Sequence, residues 1–91
     1  MGKQTLEEIQ DEQDRQILLW GVQSHERGMW YAILGEEFGE VGKAINEGDP
    51  SERLVEELIQ VAAVAASWVD DILGRHRMSD RFIPNEAEAK P

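Results

Sequence analysis

The chain of 91 residues contains no cysteine and only two histidines. Disulfides, thiolate zinc sites and iron–sulfur clusters are therefore excluded, and a histidine-rich metal site is disfavoured. Only nine basic residues stand against 19 acidic ones, which gives a formal net charge of −10. This shortage of Lys and Arg disfavours nucleic acid as a partner, because binding it depends on neutralising phosphates. It equally disfavours an anionic membrane surface.

Long apolar runs are also missing. The longest, from Leu58 to Val69, is too short to span a bilayer and is interrupted by Gln60 and Ser67. The N-terminus is polar and acidic, unlike a signal peptide. We therefore predict a soluble, cytoplasmic protein with a single domain over residues 1–91, whose C-terminal tail is loosely ordered from about residue 78.

Apolar residues recur with the period of an α-helix in three stretches of the chain. They predict an all-α fold with three main helices, over about residues 6–20, 29–47 and 50–73. The third helix is apolar over most of its circumference, and a helix of that kind is buried on several sides. Since one short chain offers only two partner helices, we predict an antiparallel helical bundle that is completed by homo-oligomerisation.

Turn and capping residues mark the expected helix ends. Thr5 and Glu8 match a capping box at the start of the first helix. Gly48 suits the position just past a helix C-terminus. Asp49, followed by Pro50, suits the N-cap of the third helix. So short a connection predicts that the second and third helices are antiparallel neighbours.

The second and third helices carry acidic residues beside their apolar stripes. On the second helix, four apolar residues share one narrow stripe, namely Leu34, Phe38, Val41 and Ile45. Glu37 and Glu40 lie on its flank, and antiparallel packing would set them against Glu57 and Gln60. Clustered carboxylates repel one another, and a divalent, magnesium-like cation would relieve that repulsion. The alternative is that these glutamates form only a solvated helix face.

These residues resemble a known motif. Glu36-Glu37-Phe38-Gly39-Glu40 followed by Glu57-Leu58-Ile59-Gln60 is similar to the EExxE…ExxD motif of the MazG-like, all-α nucleoside triphosphate pyrophosphohydrolases. The resemblance covers roughly residues 20–73. It implies an enzyme, dependent on Mg²⁺ or Mn²⁺, that cleaves a nucleoside triphosphate to a monophosphate and pyrophosphate. It also implies a homodimer or a dimer of dimers, and a house-cleaning role against non-canonical nucleotides.

By motif position, the resemblance implies that Glu37, Glu40, Glu57 and Gln60 hold the metal. A carboxylate of the cluster, Glu36 or Glu40, would orient or deprotonate the attacking water and so act as the catalytic base. Gln60 departs from the motif, because the family has an aspartate there. Its amide oxygen can ligate a cation or hold a metal-bound water but carries no charge. We therefore predict fewer or weaker Mg²⁺ sites than in a member with four carboxylates.

Three residues are candidates for binding the substrate. His25 is spaced before the acidic motif as a base-contacting histidine is in the dCTP pyrophosphatase-like members, and Trp30 can stack on a base. Lys43 can meet a phosphate. The alternatives are that Trp30 is a core or interface residue and that Lys43 is solvated. Asp71 shares the stripe of Glu57 but lies about four turns further along the helix, so it is left out of the site.

Two other functions stay open. The chain can be a non-catalytic sensor that binds nucleotides, or a plain helical oligomerisation module whose acidic residues are solvated. The enzyme requires nucleotide binding and turnover, the sensor requires binding alone, and the module requires neither.

Overall fold

A computed structural model describes residues 1–75, which form three α-helices and no strand. Helix α1 spans Lys3–Trp20, α2 spans Arg27–Asn46 and α3 spans Ser51–Leu73. The prediction of an all-α fold with three main helices is confirmed, and the observed helix ends lie within three residues of the expected ones. The tail predicted from about residue 78 lies outside the described residues.

The turn between α2 and α3 is set by Gly48, which adopts a left-handed conformation with φ of 69°. Its N–H donates to the carbonyl of Ile45 at 3.1 Å, and the N–H of Asp49 donates to the carbonyl of Ala44 at 3.0 Å. These two bonds make a Schellman motif, which satisfies the last carbonyls of α2. The predicted position of Gly48 just past the helix end is confirmed.

The two predicted N-terminal caps are wrong. Helix α1 begins before Thr5, because the Gly2 carbonyl already accepts the N–H of Leu6 at 3.0 Å. Thr5 therefore lies inside the first turn, and no side chain caps α1. At α3 the N-cap is Pro50 rather than Asp49, again without a side-chain cap. In both cases a backbone carbonyl, rather than a capping side chain, marks where the helix begins.

Helix α3 lies at the centre of the fold. It packs against both α1 and α2, whereas no Cα atom of α1 comes within 8 Å of a Cα atom of α2. A cleft is therefore left between α1 and α2. Within residues 1–75 the buried apolar core is small and consists of residues from α2 and α3, namely Trp30, Val41, Ala44, Ala63 and Val64.

The packed face of α2 is rotated relative to the predicted stripe. Val41 is buried as expected, but Phe38 and Ile45 are 65% and 62% exposed, while Trp30 is only 2% exposed. Residues seven, four and three apart along the packed face share one side of a helix. That side runs from Trp30 through Glu37 to Val41. Glu37 thus lies on the face that packs against α3 rather than on its flank.

Polar side chains help to dock helix α1 on α3. Gln13 is buried, and its Nε2 donates to Ser67 Oγ at 3.1 Å and to Asp70 Oδ2 at 2.9 Å. Ile9 and Ile17 of α1 are half-buried, whereas Leu6 and Trp20 are exposed. Two hydrogen bonds from one amide fix the register of α1 on α3, and this docking determines which α1 side chains reach the site.

Several large apolar side chains stay exposed along α2 and α3, namely Tyr31, Phe38, Ile45, Val55, Leu58, Val69 and Ile72. We call this set the exposed apolar surface. Within residues 1–75 nothing covers it. None of the helices in that part of the chain is long and apolar enough to cross a membrane.

Candidate functional site

Glu57 of α3 is the most deeply buried acidic residue of the site. It is 4% exposed. Its negative charge acts on the carboxyl of Glu37, which lies on α2. The Oε2 of Glu57 forms an ion pair with Arg53 NH2, one helical turn earlier, at 2.9 Å. Its Oε1 is buried and has no hydrogen-bond partner within residues 1–75. A buried acceptor without a partner costs about 1–3 kcal/mol, so this oxygen marks a place where a ligand would be stabilised.

Glu37 of α2 is the second carboxylate with an unpartnered oxygen. Its Oε1 is also buried without a hydrogen bond in the described part of the chain. Burial raises the pKa of the Glu37 carboxyl, and the nearby negative charges of Glu57, Glu40, Glu12 and Glu36 raise this pKa further. The negative charges of acidic residues from all three helices therefore act on Glu37.

The contribution of α1 to this acidic cluster was not predicted from the sequence. Glu12 accepts hydrogen bonds from Arg15 Nε at 2.8 Å and Arg15 NH2 at 2.7 Å, and a third from Gln16 at 2.9 Å. Burial raises the pKa of Glu12, but these hydrogen bonds outweigh burial and leave the pKa below its usual value. Glu12 is thus ionised beside Glu37. No spacing rule relates it to the other glutamates, since only the docking of α1 brings it there.

Glu40 and Lys43 line a small hollow near the turn between α2 and α3, with a volume of about 100 Å³ that also includes Arg53 and Glu57. Glu40 is solvent-exposed at its rim, and so is Glu36 on the outer side of α2. Lys43 therefore lies beside the carboxylates rather than beside the other two substrate-binding candidates. Of the predicted acidic residues, Glu40 and Glu57 share this hollow, and the charges of both act on Glu37.

Gln60 lines a different hollow from Glu57, although the two are neighbours on α3. It lines a groove of about 480 Å³ between α1 and α3, together with Glu12 and Arg15. Residues three apart on a helix are offset by a net angle of about 60°, and this offset turns Gln60 from Glu57 toward α1. Gln60, which was predicted to lie with Glu37, Glu40 and Glu57, thus lines the same groove as Glu12 of α1.

The two aromatic candidates meet at the other end of the cleft. The ring of His25 packs edge-on against Trp30, with centroids 5.0 Å apart. Trp30 in turn stacks with Trp68 of α3 at 6.3 Å. The indole Nε1 of Trp30 donates to Asp71 Oδ2 at 2.8 Å. The role of Asp71 as an anchor for the aromatic residues was not foreseen from the sequence.

A cleft of about 230 Å³ runs between α1 and α2 over α3 and connects these two regions. Its walls carry the aromatic rings of Trp20 and Trp30 and the side-chain amides of Gln16 and Gln23, and Glu37 lies at one end. The cleft thus combines flat apolar walls, amide hydrogen-bonding groups and a carboxylate within one connected space.

The residues present suit a hard divalent cation, since they offer carboxylate and amide oxygens and no sulfur. The two unpartnered oxygens of Glu37 and Glu57 supply donors without competing hydrogen bonds. Within residues 1–75, no three His, Asp or Glu side chains are arranged to hold a metal ion as they stand. The metal ligands implied by the motif therefore stay a prediction, and they need side-chain adjustment to converge.

Comparison with protein-family models, with curated proteins and with solved structures finds no match to this chain. The resemblance to the MazG-like motif is accordingly carried by the residues alone.

Proposed function

We propose that the chain is a Mg²⁺-dependent nucleoside triphosphate pyrophosphohydrolase of the MazG-like type. The observation that carries this proposal is the pair of buried, unpartnered oxygens on Glu37 and Glu57, in a cluster of carboxylates from all three helices. Such oxygens destabilise a fold unless a ligand compensates them. The two motif residues Glu37 and Glu57 therefore carry buried carboxylate oxygens that a cation would stabilise.

In this proposal Glu37, Glu40 and Glu57 hold Mg²⁺, for which Mn²⁺ can substitute. When bound, the ion neutralises charge on the triphosphate and lowers the pKa of a bound water. Glu36 and Glu40 are exposed at the rim of the cluster. Either carboxylate can accept the proton of the attacking water, provided that it lies within hydrogen-bond reach in the substrate complex. Lys43 contacts the phosphates from the neighbouring hollow.

The cleft between α1 and α2 would take the nucleobase. Trp20, which is 62% exposed and lines the cleft, offers an aromatic wall, and stacking of a base on an aromatic side chain contributes roughly 1–3 kcal/mol. Trp30 is only 2% exposed and backs the cleft from within. Gln16 and Gln23 carry amide groups that can donate to and accept from a base edge. His25 supports Trp30 by its edge-on contact. A base in this cleft directs the attached phosphates toward Glu37.

We further propose that the helices form an antiparallel bundle that pairs with a second copy through the exposed apolar surface. On α2, Phe38 and Ile45 are seven residues apart and point to the same side. Burying such side chains stabilises an interface by about 25 cal/mol per Å² of apolar area. The molar mass from light scattering should therefore be that of a dimer or a dimer of dimers. In Phe38→Lys it should shift toward that of a monomer. Leu18→Lys, at an exposed apolar position on α1, should leave the assembly unchanged.

The non-catalytic sensor is the second candidate function, and Gln60 favours it. An uncharged amide stands where the motif has a carboxylate, and fewer charges hold a cation less tightly. A sensor would be stabilised by nucleotides without turning them over. An oligomerisation module would show neither effect.

A pyrophosphate-release assay over the dNTPs and NTPs with Mg²⁺ tests the proposal. We expect turnover of at least one nucleotide, and a loss of roughly 100-fold in Glu37→Gln and Glu57→Gln because each removes a cation ligand. Glu52→Gln is the matched control, since Glu52 is an exposed glutamate at the start of α3. No release with any nucleotide, in a protein that nucleotides stabilise against heat, would replace the enzyme by the sensor.

A further inference from the structure

Helix α2 carries a regular face that the candidate site does not use. Along this face a glycine alternates with a large apolar residue, at spacings of three and four residues in turn. The six residues are, in order, Gly28, Tyr31, Gly35, Phe38, Gly42 and Ile45. Residues with this spacing follow one line along a helix, as the a and d positions of a heptad do. We call them the glycine–apolar stripe.

The glycine–apolar stripe points away from the rest of the fold. All six of its residues are exposed. Its large side chains, those of Tyr31, Phe38 and Ile45, are 73%, 65% and 62% exposed. The side of α2 that packs against α3 is a different one, marked by the buried Trp30 and Val41. The stripe is therefore free to meet another molecule.

The glycines of the stripe have no function within a single chain. They adopt ordinary helical backbone angles, since the glycines with positive φ lie elsewhere. A Cβ atom added at Gly28, Gly35 or Gly42 would meet no packed neighbour within 4 Å among residues 1–75. Glycine is also a poor helix former, so three of them in one line weaken α2. Close approach of another helix explains them, because a glycine lets a facing side chain reach the backbone.

Antiparallel pairing makes this stripe complementary to itself. A two-fold axis that passes between positions 36 and 37 sets every large side chain of one copy on a glycine of the other. The contacts are Phe38 with the partner's Gly35, Tyr31 with the partner's Gly42, and Ile45 with the partner's Gly28. The symmetry repeats each contact. Parallel pairing would instead set glycine on glycine and ring on ring, so its layers could not all close at one helix separation.

Charge and area both favour a second copy as the occupant. The chain has a net charge of −10, so two copies repel unless they meet on an uncharged surface, and the stripe contains no charged residue. Aromatic side chains bury about 150–250 Å² each, so the four rings of a pair supply about 600 Å² at the lower value. The isoleucines and the backbone at the glycines bring the buried area near the roughly 1,000 Å² of a specific interface.

We propose that the glycine–apolar stripe is the contact surface between two copies of this chain, which pack α2 antiparallel on α2 with each large side chain on a glycine of the partner. This inference rests on the pairing given under the proposed function, for which it specifies the helix, the direction and the register. Glu37 lies on the face of α2 that packs against α3, so this pairing leaves the site of each copy open.

A swap of large and small residues tests the register, with the dimer dissociation constant of the 91-residue chain measured by sedimentation velocity over a dilution series. Gly35→Phe sets a ring on the partner's Phe38 and should weaken pairing about tenfold or more. The double variant Gly35→Phe/Phe38→Gly sets the new ring on a glycine again and should restore pairing close to the wild-type affinity. Gly35→Phe/Ile45→Gly is the matched control, since Ile45 does not face Gly35 in this register, and it should stay weak.

Rescue by the matched swap alone separates a defined contact from simple damage to α2, and circular dichroism checks that each variant keeps its helices. If neither double variant restores pairing, the register is wrong. If the wild type is a dimer and Gly35→Phe pairs as tightly, the stripe is not the interface, while the proposed pairing through the exposed apolar surface stands. A wild type that stays monomeric at every concentration would overturn both this inference and the proposed pairing. Pyrophosphate release tests the proposed reaction separately.

Discussion

Two carboxylates on α3 have opposite surroundings. Glu57 and Asp71 are 14 residues apart on the same side of the helix, which separates them by about 21 Å along its axis. Asp71 accepts hydrogen bonds from three groups, namely Ser24 Oγ, the His25 N–H and Trp30 Nε1, at 2.8 to 3.0 Å. Glu57, although more deeply buried, keeps one oxygen without a partner in residues 1–75.

This difference separates a structural carboxylate from a functional one. Asp71 ties the connector between α1 and α2 to α3 and orients a buried tryptophan, so its bonds are all used within the fold. Glu57 Oε1 and Glu37 Oε1 are buried as well, but they accept no hydrogen bond within residues 1–75. Buried polar groups are nearly always satisfied in native proteins, so unsatisfied ones point to a missing ligand. Under the proposed function, Asp71 serves stability and Glu57 serves binding.

The largest expected effect comes from removing the satisfied carboxylate. Asp71→Ala leaves the buried Nε1 of Trp30 without an acceptor, and an orphaned buried donor costs about 1–3 kcal/mol. For a domain of this size each kcal/mol lowers the melting temperature by about 4–8 °C. Thermal denaturation followed by circular dichroism should show a fall of about 10 °C or more. Asp71→Asn, which keeps an acceptor oxygen, should lose less, and an unchanged melt for Asp71→Ala would refute the structural role.

A smaller effect is expected from adding a carboxylate at the binding end. Gln60→Asp restores the charge of the motif, and cation sites tighten as their number of charged ligands increases. Calorimetry should show Mg²⁺ binding about tenfold tighter than in the wild type, or an additional site. Gln4→Asp makes the same kind of change on the exposed start of α1 and should have no effect. Gln60→Asp with unchanged affinity and stoichiometry would remove Gln60 from the site.

The next effect concerns the charge of Glu37 without added cation. Its carboxylate is repelled by its neighbours, so Glu37→Gln should stabilise the chain at neutral pH. The gain should stay below about 1 kcal/mol, since solvent screens a partly exposed charge. Chemical denaturation in the presence of a chelator measures this difference. A loss of stability would mean that the Glu37 carboxylate has a favourable partner that outweighs the repulsion from its acidic neighbours.

The smallest effect is the pH dependence of that same charge. The pKa of Glu37 is raised above its usual 4.5, so the folded chain binds this proton more readily than the unfolded chain. The contribution of Glu37 is therefore most favourable below pH 4.5 and is lost as the pH rises through the raised pKa. The free energy of unfolding, measured by denaturation over this pH range, should fall less steeply with rising pH in Glu37→Gln than in the wild type. The same pH dependence of stability in both proteins would contradict the raised pKa of Glu37.

The sequence predicted the helices well because their signals are local. The apolar period and Gly48 depend on residues within a few turns of one another. Even so, the packed face of α2 could not be chosen correctly. Trp30 and Val41 mark one apolar side and Phe38 and Ile45 mark another, and periodicity alone does not say which meets α3. The capping box predicted at Thr5 is wrong because α1 begins at Lys3, before Thr5.

The parts of the site that were missed depend on contacts between distant residues. The hydrogen bonds of Asp71 span more than 40 residues, and Glu12 reaches the cluster only because Gln13 docks α1 on α3. No motif or spacing encodes such pairings in a single sequence. Glu37 and Glu57 could be found in advance because they belong to a motif, but their unpartnered oxygens are visible only in the fold.

A titration of Mg²⁺ into the wild-type protein, followed by calorimetry, tests the central claim that the unpartnered carboxylates form a cation site. We expect saturable binding in the wild type and in Asp71→Asn, and no binding in the double variant Glu37→Gln/Glu57→Gln. Binding that survives unchanged in the double variant, or that is absent from the wild type, would contradict the claim.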